Sequence, residues 1–106
     1  MILLNKGVPA LSIAGTAIGA QTGTVFALPS RAVYIAWQTG YTDSPSAVNV
    51  VLEVSVDGVT WNTLDTSTLA VGETRTIGPT AAGFIRARMV SNTGGTLVSV
   101  SILVKN

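Results

Sequence analysis

Residues 48–56 carry an apolar side chain at every second position, the spacing of a β-strand with one face against a core. The run ends at Asp57-Gly58, a dipeptide typical of a tight turn between antiparallel strands. A second stretch of β-favouring residues, 59–65, follows directly. The two segments predict a β-hairpin, and no helical periodicity elsewhere in the sequence competes with a β fold.

The register of this hairpin follows if Asp57-Gly58 forms a two-residue type I′ turn. Val54 then lies opposite Trp61 on the core face, and Val51 lies opposite Leu64 on the outer face. Two arrangements suit the outer pair: a β-bulge that turns Leu64 inward, or a neighbouring molecule that covers both side chains. Val51 and Leu64 are therefore candidate interface residues.

Turn-forming residues recur about every eight to twelve positions, with alternating segments between them. This pattern predicts an all-β fold, an antiparallel and jelly-roll-like β-sandwich of about eight strands. A chain of 106 residues is long enough for one such core. The predicted strands lie near residues 10–14, 24–28, 31–38, 48–56, 59–65, 73–77, 83–91 and 97–104.

The last two predicted strands are separated by residues 91–96, a segment of small, turn-forming residues. In the final strand, Val98, Val100 and Ile102 share one face, which indicates burial against a core. Because a flexible connection suits a tight reversal, we expect these two strands to pair as a hairpin.

Charge is scarce in this chain: charged residues make up 10% of it, against roughly 25% in ordinary soluble domains, and the net charge is +1. A surface so poor in charge suits burial against neighbours and has no field to attract nucleic acid or an anionic membrane. Residues 7–30 contain no charge, but prolines, glycines and polar residues interrupt any apolar run of the roughly 20 residues a membrane helix needs. We expect protein partners, no nucleic acid and no membrane.

The chemistry of catalysis is also poorly represented. The chain has no histidine and no cysteine, so the commonest general base, metal ligand and thiolate nucleophile are missing. Glu53 and Asp57 are the nearest carboxylates, but four residues of strand separate them by about 13 Å, beyond the roughly 5 to 9.5 Å of glycosidase pairs. Both are predicted to be solvated surface charges. We expect no catalytic residue, no metal site and no cofactor, and therefore no enzyme.

The N-terminal segment, residues 1–23, is less regular than the sandwich domain expected at residues 24–106. Its apolar start, Ile2-Leu3-Leu4, has two interpretations of equal weight. It is either an edge strand or an extended arm that packs on a neighbouring subunit, in which case Ile2, Leu3 and Leu4 are interface residues.

Arg86 and Arg88 form a local basic cluster and share one face of a predicted strand. One interpretation is an exposed pattern in which the aliphatic stems cover apolar surface. The other is an ion-pair contact to an acidic neighbour, which would make both arginines interface residues.

The hairpin and the later segment 83–95 together resemble small β-sandwich structural proteins of tailed bacteriophages. The shared motifs are Leu-x-x-Ser-x-Asp-Gly-x-x-Trp at residues 52–61, Phe-Ile-Arg-Ala at residues 84–87 and Thr-Gly-Gly at residues 93–95. The resemblance covers about half of the chain. It implies a non-enzymatic virion protein that decorates or cements the capsid by bridging its subunits, or a component of the tail or neck.

For partners, the resemblance implies the major capsid protein or another virion protein, and further copies of the chain, with a trimer suited to capsid threefold positions. The protein would be made in the host cytoplasm and act on the capsid exterior. The same segments also resemble discoidin-type glycan-binding domains, whose loops hold the ligand. Tyr41 is the loop aromatic that could stack on a sugar here.

Overall fold

The computed structural model describes residues 2–14, 20–29, 33–42, 45–94 and 98–105, and these contain ten β-strands and no helix. Each of the eight predicted strands overlaps an observed strand. The strands are β1 (Ile2–Leu3), β2 (Ala10–Ile13), β3 (Gln21–Thr22), β4 (Phe26–Ala27), β5 (Val33–Tyr41), β6 (Ala47–Ser55), β7 (Asn62–Ser67), β8 (Glu73–Thr80), β9 (Phe84–Thr93) and β10 (Val98–Lys105).

The strands form two sheets that pack as a sandwich. The six-stranded sheet has the order β1-β4-β9-β6-β7, with β3 also paired to β9, and the four-stranded sheet has the order β2-β10-β5-β8. With β1 and β3 left aside, every connection between successive strands crosses from one sheet to the other except that of β6 to β7. This is the strand order of a jelly roll, so the predicted fold class is confirmed.

The core lies between the sheets and is built from the inward-facing residues of alternating strands. Trp37 on β5 is the largest fully buried side chain. It packs in one cluster with residues of both sheets, such as Ile102 on β10 and Met89 on β9. The alternation predicted for the final strand therefore places Val100 and Ile102 inside, while the side chain of Val98 lies outside the described part of the structure.

The β6–β7 connection differs from the predicted turn. Strand β6 ends at Ser55 and β7 begins at Asn62, so six residues connect them. A type I′ turn needs positive φ at both central residues, whereas only Gly58 has it here, with φ of 80°. The two-residue turn and its register were wrong, and Val56, expected on the core face, is 86% exposed.

The predicted hairpin of the last two strands is also wrong. Strand β9 pairs with β6 in the six-stranded sheet, whereas β10 pairs with β5 and β2 in the four-stranded sheet. A glycine-rich connection serves a crossover between sheets as well as a hairpin, and side-chain alternation does not say which strand is the neighbour.

The described part of residues 1–23 contributes strands to both sheets in the single chain. Strand β1 pairs in parallel with β4, β2 pairs with β10, and β3 pairs with β9. Leu4 is buried in the core, while Ile2 and Leu3 are exposed on the edge of the six-stranded sheet. Contact of this segment with a neighbouring subunit stays a prediction, and in the single chain only Ile2 and Leu3 of the three apolar residues are free to make it.

One lateral side of the sandwich is closed by Ser12 on β2. Its hydroxyl accepts a hydrogen bond from the backbone N–H of Ala87 on β9 and donates one to the carbonyl of Thr24, both at 2.9 Å. The Gly23 N–H donates to the carbonyl of Ala87 at 2.8 Å. Ser12 thereby ties an edge of the four-stranded sheet to a central strand of the six-stranded sheet.

This closure requires glycine at position 23. A Cβ there would lie 2.5 Å from the Ser12 hydroxyl oxygen and 2.6 Å from its carbonyl oxygen. Backbone atoms cannot move aside cheaply, so we expect Gly23→Ala to lower the free energy of unfolding by about 1 to 3 kcal/mol. Chemical denaturation measures this change.

Gly78→Ala is the matched control, because a Cβ at Gly78 would meet nothing within 4 Å. We expect it to change the free energy of unfolding by less than about 0.5 kcal/mol. Equal effects of the two substitutions would contradict the steric explanation.

Candidate interaction surfaces

The described residues contain no cluster of three or more acidic, histidine or cysteine side chains that could hold a metal ion. No helix in the described part is long and apolar enough to cross a membrane. The outer faces of the two sheets differ in the charges they carry.

The outer face of the six-stranded sheet carries an ion-pair cluster centred on Glu53. Arg86 Nε lies 2.9 Å from Glu53 Oε1, and Arg88 Nε lies 3.1 Å from Oε2. Glu53 is only 5% exposed, so its prediction as a solvated charge was wrong. Strand register explains the burial, because β9 lies beside β6 and places Arg86 opposite Glu53 and Arg88 opposite Val51.

Trp61 contributes to the same cluster rather than to the core. The Arg86 guanidinium lies over its ring, 4.1 Å from the centroid, in a cation–π contact. Its predicted place on the core face was wrong, because Arg86 alternates with the core residues Ile85 and Ala87 and faces outward. The charges of this face are thus largely satisfied within the chain.

Val51 and Leu64 do not face one another. A register shift between Leu52 and Glu53 places Thr66 opposite Val51 and lets Leu64 pack against the core. Of the two arrangements considered for this pair, the β-bulge is the one observed. Val51 is buried in the single chain, on the face that also carries the Glu53 cluster.

A second polar cluster joins the adjoining edges of the two sheets. The Trp37 Nε1–H donates to Asp65 Oδ2 at 2.9 Å, and Arg75 Nε donates to the same oxygen at 2.7 Å. Arg75 also reaches Glu73 Oε1 at 3.1 Å, and the Ser67 hydroxyl donates to Glu73 Oε2 at 2.6 Å. Strands β5 and β8 of one sheet are thereby connected to β7 of the other.

Both carboxyl groups of this cluster are stabilised as anions. Burial raises the pKa of Asp65, but the hydrogen bonds from Arg75 and Trp37 lower it further, so that the pKa lies below its ordinary value. The hydrogen bond from Ser67, followed by that from Arg75, holds the pKa of Glu73 below its ordinary value.

The outer face of the four-stranded sheet is different, and we call it the neutral face. Its outward-pointing residues are uncharged except for Lys105, which lies opposite Tyr34 near one corner. Pairs in register place Leu103 beside Ala36, and Ala36 beside Thr76, near the middle. The neutral face comprises Leu11, Tyr34, Ala36, Gln38, Thr74, Thr76, Gly78, Ser99, Ser101, Leu103 and Lys105.

Two shallow hollows lie on the neutral face and meet at Ala36 and Leu103. One, of about 240 Å³, is bordered by Pro9, Gln38 and Thr74. The other, of about 510 Å³, is bordered by Tyr34, Gly78 and Lys105. The small Ala36 side chain between Tyr34 and Gln38 accounts for the depression. The face thus combines projecting side chains with recesses, and Lys105 is the charged residue among those that define it.

A third surface lies within the β6–β7 connection at residues 56–60, which we call the valine turn. Val56 is 86% exposed and Val59 is 81% exposed, yet the backbone between them is firmly held. Asp57 Oδ1 accepts hydrogen bonds from the N–H groups of Val59 and Thr60 at 2.8 and 2.9 Å. The Ser55 hydroxyl accepts one from the Gly58 N–H at 2.8 Å.

The turn is thus ordered without burying its valines. Hydrogen bonds from the N–H groups of Thr60 and Val59 and from the Ser55 hydroxyl hold the pKa of Asp57 below its ordinary value. The valine turn therefore presents two exposed apolar side chains on a backbone held by hydrogen bonds.

The predicted interface residues fall at separate places on the molecule. Ile2 and Leu3 lie on the edge strand β1, near the end of the sandwich that also carries the valine turn. Arg86 and Arg88 come together, as predicted, but their acidic partner in the single chain is Glu53. Tyr41, expected in a loop, is the last residue of β5 and packs against the core.

The neutral face and the valine turn were missed by sequence reasoning. A sequence pattern did indicate the neutral face, because the residues at the outward positions of β5, β8 and β10 are uncharged apart from Lys105. What the sequence could not show is that these three strands lie side by side. The valine turn was not predicted, because Val56 was assigned to the strand at residues 48–56, whereas β6 ends at Ser55.

No protein-family model and no curated protein matches this sequence. In structure the chain is similar to the SPBc2 prophage-derived protein YomS, known from a crystal structure. The TM-score is 0.66 over 92% of each chain, at 11% sequence identity. A likeness at this identity is one of fold.

The lowered pKa values of Asp65 and Glu73 predict acid sensitivity. Their stabilisation is fully present above the pKa of the unfolded carboxyl groups, about 4, and is lost as the pH falls through the lower folded-state values. Arg75→Gln removes the cation that holds both anions, so we expect the free energy of unfolding to fall less steeply below about pH 4 than in the unsubstituted protein. Denaturation at a series of pH values measures this slope.

Lys105→Gln removes an equal charge from a side chain that has no ion pair among the described residues, and it should leave the slope unchanged. A slope that Arg75→Gln does not alter would contradict the assigned role of the cluster.

The Glu53 cluster predicts a loss of stability on neutralisation. Glu53→Gln leaves two arginines without their shared anion, and we expect the free energy of unfolding to fall by about 1 to 3 kcal/mol. The arginines are partly exposed and regain some hydration, which keeps the loss below that of a fully buried pair. Thr63→Gln, an exposed change opposite Glu53, should be nearly neutral by the same denaturation measurement. Unchanged stability in Glu53→Gln would contradict the assignment.

Proposed function

We propose that this protein is a non-enzymatic virion structural protein that decorates or cements a bacteriophage capsid by bridging its subunits. The observation that carries the proposal is the division of its surface. One sheet face has its charges paired internally, while the neutral face and the valine turn are left free to contact other proteins. The phage assignment is supported by the fold shared with a prophage-derived protein and by the sequence motifs of tailed-phage structural proteins.

Bridging requires contacts that cost little to desolvate and that are repeated many times. The neutral face loses few charge–water interactions when it is covered, because Lys105 is its single charged residue. The valine turn adds two apolar side chains whose backbone needs no further ordering on binding, which lowers the entropy cost. Weak contacts of this kind add up on a symmetric shell through multivalency.

Localisation and partners follow from this proposal. The protein would be made in the host cytoplasm and would lie on the capsid exterior, against the major capsid protein or another virion protein. Ile2 and Leu3 lie near the same end of the sandwich as the valine turn, so the two would contact the capsid together. A tail or neck position uses the same surfaces and is the second candidate.

A glycan-binding module is the third candidate, from the discoidin resemblance. Tyr41 cannot serve as its stacking residue in this conformation, since its hydroxyl is buried and its side chain packs against the core. Tyr34 on the neutral face, 55% exposed, is the aromatic side chain that a sugar could reach.

The test measures binding of the purified protein to heads of its own phage assembled without it. We expect saturable binding to heads, and we expect Val56→Ser with Val59→Ser to weaken it by at least about tenfold, because losing the burial of two valine side chains at a contact costs more than the roughly 1.4 kcal/mol that equals tenfold in affinity. Sedimentation with heads, quantified from the bound fraction, gives both values.

Leu69→Ser with Val71→Ser is the matched control, since it removes two exposed apolar side chains from the connection at the other end of β7. It should leave head binding unchanged. Absence of binding to heads contradicts the capsid proposal. Binding to purified tails then supports the tail candidate, and binding to a glycan array supports the third.

A further inference from the structure

The neutral face has no charged residue at its centre, so it is compatible with a copy of itself. In a twofold contact, residues near the axis meet their own equivalents, so any charge there faces a like charge. The centre of the neutral face is formed by Ala36, Leu103 and Thr76, and its one charge, Lys105, lies near a corner. Two copies of this face can therefore meet without repulsion at the axis.

The shape of the face also suits a second copy. Tyr34 and Leu11 project from it, at 55% and 53% exposure, while the two hollows meet at Ala36. A twofold axis near Ala36 brings the projecting side chains of one copy towards the recesses of the other. Sheets that pack face to face lie about 10 Å apart with interdigitated side chains, which this relief allows.

The area is sufficient for a weak, specific dimer. Strands β5, β8 and β10 have eight or nine residues each and β2 has four, so at about 3.3 Å per residue and about 4.8 Å between strands the face presents about 460 Å². Two such faces bury about 900 Å², which is the size of a weak, transient protein interface. The net charge of +1 opposes association very little.

We propose that the neutral face is a twofold interface with a second copy of this chain. The inference rests on the proposed function for its biological meaning, because pairing through this face leaves both valine turns free to reach neighbouring capsid subunits. The physical argument for the interface, however, uses only the charge, shape and area of the neutral face. It also replaces the general expectation of a homo-oligomer with a named surface and a twofold symmetry.

The experiment is sedimentation equilibrium of the purified protein from about 1 to about 300 μM, a range that brackets the affinity expected for so small an interface. We expect a monomer–dimer equilibrium with a dissociation constant of roughly 10 μM. Ala36→Lys places like charges at the axis and should raise that constant at least about thirtyfold. Thr63→Lys adds the same charge to the outer face of the other sheet and should leave it unchanged.

A rescue makes the test independent of any folding defect. Ala36→Lys and Ala36→Glu should each be monomeric alone, and an equal mixture should restore dimers because opposite charges then meet. Near-ultraviolet circular dichroism of the buried Trp37 checks that each variant is folded.

Three results would overturn the inference: a monomer over the whole range, a trimer, or a dimer that Ala36→Lys leaves intact. A trimer would instead support the threefold arrangement. The head-binding measurement is separate. Failure there with an intact dimer refutes only the capsid role, and head binding by a monomer refutes only this interface.

Discussion

The indole N–H of Trp37 places a strict demand on this fold. Trp37 is the largest buried side chain of a thin core, and a buried donor needs an acceptor. The acceptor is the carboxylate of Asp65 on the opposing sheet. Arg75 donates a hydrogen bond to this carboxylate and another to Glu73. One hydrogen-bonding requirement thus fixes the relation of the two sheets at their adjoining edges. The chain has no cysteine and therefore no disulfide, and side-chain hydrogen bonds here and at Ser12 join the two sheets.

The small number of charged residues also determines which surfaces are available to a partner. Arg75, Arg86 and Arg88 all bind carboxylates of their own chain. Few charges remain for the rest of the surface, and the four-stranded sheet therefore presents a face on which hydroxyl, amide and apolar groups alternate. Such a face has little long-range attraction for anything. Recognition through it must depend on the fit of surfaces at close range.

The strands and their inward faces could be predicted from the sequence because they depend on local alternation. Val33, Ile35 and Trp37 show this on β5, and all three are buried. The jelly-roll class followed from the number and spacing of such segments. Pairing is another matter: Glu53 meets Arg86 only because β6 lies beside β9, a contact between residues 33 positions apart that alternation does not encode.

Turn geometry was the second point that the sequence left open. Asp57-Gly58 is typical of a two-residue hairpin, but here Asp57 accepts hydrogen bonds from the following N–H groups and holds a longer connection. The local dipeptide is the same in both cases. The choice depends on whether Trp61 goes to the core or to Arg86, which is a tertiary matter. Trp61 packs under Arg86 on the outer face, and the valine turn is the connection that results.

The jelly-roll order has a consequence for how the molecule forms. Strand β10 lies between β2 and β5, so the four-stranded sheet lacks its centre until residues 98–105 have been synthesised. The six-stranded sheet likewise needs β9 between β4 and β6. Neither sheet can therefore assemble early on the ribosome, and folding must await contacts between distant parts of the chain, which is characteristic of slow, cooperative β folding. A chain that lacks β10 would present neither the neutral face nor an intact core.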